Sequence, residues 1–135
     1  MYKHILVPVA FDQDHPPDQA IALARRLVTP TGRISLLHVM PEVPPFAINY
    51  MPIGYGDNLG RAVQAELDSL AAPLPHGSAH VEAGEAGRSI LAFAEENEVD
   101  CIVIASHRPG LGDYLIGSTT ARVVRHAACS VHVFR

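Results

Sequence analysis

Asp100-Cys101-Ile102-Val103-Ile104-Ala105 leads into Ser106-His107-Arg108-Pro109, and a short loop bearing Gly110 and Gly112 then leads into Gly117-Ser118-Thr119-Thr120-Ala121-Arg122-Val123-Val124-Arg125-His126. The first run is apolar without alternation, as in a strand covered on both faces. The second opens as a helix does, with Gly followed by hydroxyl residues. Ser130-Val131-His132-Val133-Phe134-Arg135 then reads as a further strand. Strand, loop, helix and strand in that order describe one parallel crossover of an α/β sheet. A helix start of this kind offers free backbone N–H groups and a positive dipole end to an anion. Ser106, His107 and Arg108 stand at the carboxyl end of the strand, where open α/β sheets bind ligands. Arg108 can pair bidentately with phosphate, and His107 is a further candidate for a phosphate contact. The pattern points to a phosphate-bearing ligand, a nucleotide above all. Read blandly, the same residues make a helix cap and a solvated turn.

Working outward, the period repeats. Lys3-His4-Ile5-Leu6-Val7-Pro8-Val9 is a second, nearly continuous apolar run, with Pro8 expected at the strand's end. Pro16-Pro17 can open a helix whose inward face is Ala20, Ile21, Ala24, Leu27 and Val28. It should stop near Thr29-Pro30-Thr31-Gly32, before a strand over 33–39. Residues 40–57 hold prolines, glycines and Phe46, Tyr50, Met51 and Tyr55, as a functional flap or mobile segment does. A helix follows from Asp57 to about Ala72, with Leu59, Val63, Leu67 and Leu70 on one side. Then come a weaker strand over 78–83, a helix over 87–96 with Ile90, Leu91 and Ala94 inward, and the pair already quoted. The expected fold is a doubly wound open sheet of five parallel strands with four helices, one domain spanning residues 1–135. Its ligand crevice should lie at the carboxyl ends of the first and fourth strands.

Composition narrows the function. A net charge of −4 and a pI near 6.0 give no electrostatic case for nucleic acid as a main partner, so any anion site is local. The apolar runs are too short for a membrane span, and because Met1-Tyr2-Lys3-His4 leads straight into the first strand no signal peptide is expected. Two cysteines, Cys101 and Cys129, read as reduced structural residues, and the expected location is the cytoplasm. None of the eight histidines shows the paired spacing of a zinc site, so no metal site is expected. Asp12 and Asp14 resemble a phospho-acceptor pair, but only Gly84-Glu85 follows the third strand and no Lys follows the fifth. Neither a nucleophile elbow nor a P-loop occurs, and no catalytic residues are assigned.

The whole chain resembles the universal stress protein family. The resemblance is carried by Ile5-Leu6-Val7-Pro8-Val9, Leu36-Leu37-His38-Val39, Ile102 to Pro109, and Gly117-Ser118 through Ala127 with Cys129-Ser130-Val131. Nucleotide-binding members carry Gly, two residues, Gly, nine residues, then Gly with Ser or Thr. Here Gly117-Ser118 keeps the last part, while Ile104 and His107, or Ala105 and Arg108 with a shorter loop, stand at the other glycine positions. The family's acid after the first strand is replaced by Ala10, and the first acid is Asp12.

The resemblance implies a small ATP-binding stress-response sensor or regulator, holding ATP or another adenine nucleotide with or without Mg2+. Pro8, Val9 and Val39 would flank the adenine and Asp12 the ribose. Ala105, Ser106, His107, Arg108, Gly117, Ser118 and Thr119 would take the phosphates. No residue set supplies both a base for water and a second cation, so binding without turnover is expected. A slow ATPase or autophosphorylating enzyme, and an interaction module without nucleotide, are the alternatives. A homodimer paired through residues 131–134 is expected, since an edge strand there would need covering.

Overall fold

The computed structural model describes residues 1–11, 16–106 and 117–135. Its strands are β1 (Tyr2–Pro8), β2 (Val28–Met40), β3 (Ser78–Ala83), β4 (Cys101–Ala105) and β5 (Ser130–Phe134). Its helices are α1 (Asp18–Leu27), α2 (Pro45–Ile48), α3 (Tyr55–Ala71), α4 (Ala86–Glu96) and α5 (Ser118–His126). All strand pairs are parallel and make one sheet in the order β3-β2-β1-β4-β5. The expected doubly wound sheet is present, with β1 and β4 at the switch in strand order.

The continuous apolar runs have the anticipated cause. Ile5, Val7, Ile34, Leu36, Cys101 and Val103 point into one layer, packed with Ala20 and Ala24 of α1 and Leu67 of α3. Leu6, Leu37, Ile102 and Ile104 point into the other, packed with Ile90 and Phe93 of α4 and Val123 of α5. Helices on both faces bury successive residues alike, so alternation disappears. Each fully buried Ile, Leu or Val contributes about 1.5–3 kcal/mol relative to exposure. Cys101 and Cys129 are free thiols packed into opposite layers, and burial pushes the Cys101 thiol up to about 11.

Several boundaries differ from the expectation. Val28 leaves the helix, and the Thr29–Gly32 stretch continues as strand, because Val28 pairs with Tyr2 before the register shifts at His4↔Arg33. The irregular segment contains the short α2, giving a fifth helix. α3 begins at Tyr55, two residues early, behind Gly54, whose φ of 78° is the left-handed conformation glycine tolerates. Leu59 lies outside the core at 40% exposure, since only the carboxyl half of α3 reaches the sheet. In α4 the deeper residue is Phe93, with Leu91 only half-buried. α4 is capped by the Glu85 carboxylate, which accepts from the N–H groups of Gly87 (3.0 Å) and Arg88 (2.9 Å).

One polar chain crosses the sheet beneath α4. His4 is buried, with Nδ1 2.9 Å from the Asn97 carbonyl and Nε2 2.7 Å from Ser35 Oγ. Ser35 Oγ then meets Ser78 Oγ at 2.9 Å, and Ser78 Oγ meets His80 Nε2 at 3.0 Å. Burial holds the His4 imidazole below its ordinary value of 6.5, so the ring is kept neutral.

Candidate functional site

Toward its carboxyl edge the sheet opens between β1 and β4. The β1–β4 register runs Ile5↔Cys101 and Leu6↔Ile102 only. The flanking ladders continue to Pro8↔Leu37 and Ala105↔Phe134. Backbone alternation explains the gap. Val9 N–H donates to the Leu37 carbonyl at 2.8 Å, so odd residues of β1 face β2. The His4 carbonyl accepts from Asp100 N–H at 3.0 Å, so even residues face β4. Pro8 is even. The donor it lacks is the one that would carry the ladder on toward β4.

On the β4 side, two bonds hold the helix start against the strand end. Gly117 N–H donates to the Ser106 carbonyl (2.8 Å), and Thr120 Oγ1 donates to the Ala105 carbonyl (2.6 Å). Ser106 is itself anchored, its N–H donating to the Phe134 carbonyl at 2.7 Å. Gly117 is the N-cap of α5 and supplies no side-chain cap. Its φ of −57° and ψ of 151° are open to any residue, so glycine is not required there by backbone strain. Among the described residues no acceptor meets the N–H groups of Ser118 and Thr119. They lie at the positive end of the helix, where Ser118 is exposed and Thr119 half-buried.

On the β1–β2 side the Val9 backbone is already paired. His38 Nδ1 donates to the Val9 carbonyl at 2.7 Å, and the Phe11 ring packs on the imidazole with centroids 5.1 Å apart. A carbonyl partner fixes that proton on Nδ1. Pro8 and Val39 are half-buried at the strand ends. Val9 is buried, with its side chain in the α1–α3 layer, whereas Val39 packs toward the α4–α5 layer.

The fold thus gathers Pro8, Val9 and Val39 on one side of the opening, and Ala105, Ser106, Gly117, Ser118 and Thr119 on the other. Asp12, His107 and Arg108 lie outside the described residues. Two contributors were not singled out from sequence. Thr120 had a signal, a second hydroxyl residue in the first helical turn. His38 had none, because a histidine inside an apolar strand reads as packing.

The sequence pattern of the universal stress protein family matches residues 1–135. The chain belongs to the universal stress protein family. Universal stress protein G of Salmonella typhimurium is 29% identical over 142 residues, covering 100% of both chains. The solved structure of the hypothetical protein MJ0577 superposes with a TM-score of 0.80 at 24% identity, covering 98% of this chain and 95% of that one. A universal stress family protein of Arabidopsis thaliana with AMP bound gives 0.64 at 18% identity, over 98% and 90% of the two chains. A universal stress protein in complex with cAMP gives 0.66 at 17%, over 99% and 97%. At these identities the structural likeness establishes the shared fold of the family.

Proposed function

We propose that this universal stress protein binds an adenine nucleotide across the opening between β1 and β4, and works in the cytoplasm as a stress-response sensor or regulator. The observation that carries the reading is the start of α5, held beside the end of β4 by the Gly117 and Thr120 bonds, with no described residue capping its Ser118 and Thr119 N–H groups. Uncapped N–H groups at a helix N-terminus suit a phosphate. AMP and cAMP on two family members support adenine as the base. In this reading Pro8, Val9 and Val39 flank the adenine, and Asp12 serves the ribose. Ser106, His107, Arg108 and the N–H groups of Ser118 and Thr119 hold the phosphates, with Ala105 and Gly117 allowing close approach. The ligand in this reading is ATP or another adenine nucleotide, with or without Mg2+, and it is held rather than rapidly turned over.

The same reading includes a homodimer. β5 is an edge of the sheet, and Val131, His132 and Val133 are partly or fully accessible on it. Antiparallel pairing of residues 131–134 with a second copy would satisfy the unpaired edge under two-fold symmetry.

Mass spectrometry of nucleotide released from the purified, denatured protein tests the site, followed by calorimetric titration with ATP, AMP and adenosine. Bound adenine nucleotide, with ATP tighter than adenosine, is the expected result. Neither co-purified nor titratable nucleotide would leave an interaction module in its place. Sedimentation equilibrium should show a dimer that Val133→Pro weakens; a monomer for the unmodified protein at micromolar concentration would rule out the pairing.

A further inference from the structure

The opposite edge of the sheet, β3, is built differently from β5. A groove of about 390 Å³ runs along it, lined by Gln64 of α3, by His80, Val81 and Glu82 of β3, and by Phe93 and Glu96 of α4. α3 and α4 belong to opposite layers. They can line one space only beyond the rim of the sheet, so the groove follows the unpaired backbone of β3. Gly84 N–H donates to the Met40 carbonyl at 2.9 Å, which turns even residues of this segment toward β2. Odd residues therefore face outward. Gln64 Nε2, donating to the outward Ala79 carbonyl at 3.1 Å, agrees with that assignment. Beyond this one plug, the N–H and C=O groups of Val81 and Ala83 have no partner among the described residues.

The side-chain chemistry of the groove is one-sided. Glu82 and Glu96 are exposed, and neither meets a cation among the described residues. The same groove holds an aromatic pair, the His80 and Phe93 rings 4.8 Å apart and tilted by 57°. A second copy of this chain is a poor occupant. Pairing two β3 edges would bring like carboxylates together, in a chain whose net charge is already −4.

We propose that the β3 edge is a docking site for an extended peptide segment with Arg or Lys at alternate positions. Its backbone would add a strand to the sheet through Val81 and Ala83. Residues of a strand point alternately to its two faces. On the α4 face, basic side chains would lay their stems over Phe93 and His80 and bring their charge to Glu82 and Glu96. On the other face the residues between them would meet Val81 and the Gln64 side chain. The site is independent of the nucleotide crevice, which lies on the far side of β2.

The probe is a capped hexapeptide alternating Val and Arg, compared with its Val and Glu counterpart by amide-resolved NMR titration of the intact protein. The Arg peptide should shift the Val81 and Ala83 amides and slow their exchange. The Glu peptide should bind at least about tenfold more weakly. Ala83→Pro deletes an outward N–H and no ladder bond, and should remove binding in a folded protein. The double change E82Q/E96Q keeps the backbone and should weaken the Arg peptide by about tenfold, which decides the matter if Ala83→Pro fails to fold. The proposal is overturned by unmoved Val81 and Ala83 amides at high peptide concentration, by equal binding of both peptides, or by unchanged affinity in E82Q/E96Q.

Discussion

The two banks of the opening differ in how their backbone is satisfied. On the β1–β2 bank, the Val9 N–H and carbonyl are both taken, by Leu37 and His38, and Phe11 covers the imidazole. On the β4–α5 bank, Gly117 and Thr120 anchor the helix, yet among the described residues no acceptor meets the N–H groups of Ser118 and Thr119. A bank whose Val9 backbone is already paired offers shape and apolar surface. A bank with donors in reserve can offer recognition of charge. The contrast predicts a division of labour: the first bank senses the nucleoside, and the second senses the number of phosphates.

The sharpest way to break that division is Gly117→Val. The Gly117 backbone angles suit any residue, so the variant should fold, while the new side chain crowds the approach to Ser118 and Thr119. ATP binding should be lost and adenosine binding kept, as read by calorimetry. Unchanged ATP affinity would remove the charge-sensing role from this bank.

Arg108→Ala should weaken ATP by about 1.5–3 kcal/mol and adenosine far less, because a charge-assisted bond to phosphate is missing. Equal losses for both ligands would move Arg108 to the nucleoside side. His38→Phe should act in the opposite sense. Deleting the donor to the Val9 carbonyl should cost ATP and adenosine alike about 1 kcal/mol, with His38→Asn partly restoring it. A loss confined to ATP would erase the distinction between the banks.

The segment after β2 offers a subtler test. Phe46, Ile48, Tyr50 and Ile53 are exposed at 77%, 56%, 87% and 105%, on chain that leaves the sheet from the same end as the crevice. Its amides should exchange more slowly with saturating ATP than without. Identical exchange would show that the segment takes no part in binding.

The smallest effect belongs to His4, low on β1 and away from both banks. Its imidazole is held below 6.5 in the folded chain by burial. The folded state therefore resists a proton that the unfolded chain accepts. Stability from this group is present above 6.5 and declines as pH falls below it. Thermal unfolding should show that decline, and His4→Gln should flatten it. The preference for ATP over adenosine should not change with His4. If it did, the buried chain from Asn97 to His80 would be coupled to the site.

Legibility in the sequence followed the physics of each region. The near-continuous apolar runs at Ile5–Val7, Ile34–Leu37 (broken only by Ser35) and Cys101–Ile104 announced strands covered on both faces. Gly117-Ser118-Thr119 announced a helix start, since capping is a local matter. What escaped was non-local. Thr29–Gly32 carries turn residues, yet it is strand because the Tyr2–Val28 pairing draws it into the sheet. Leu59 fits the helical period of α3, yet it is left outside because the sheet ends before the helix does.

The sequence alone determined the five parallel strands, the helices that cover them and the polar groups following β4. These depend on residue order and on periodicity along the chain. Only the tertiary structure decided that Pro8 presents its missing donor to β4 and that His38 spends its proton on Val9. It alone left the β3 edge open between two helix layers. Each of these depends on which strand lies beside which, and hydrogen-bond direction across a sheet is fixed by neighbours as distant in the chain as His4 and Asp100.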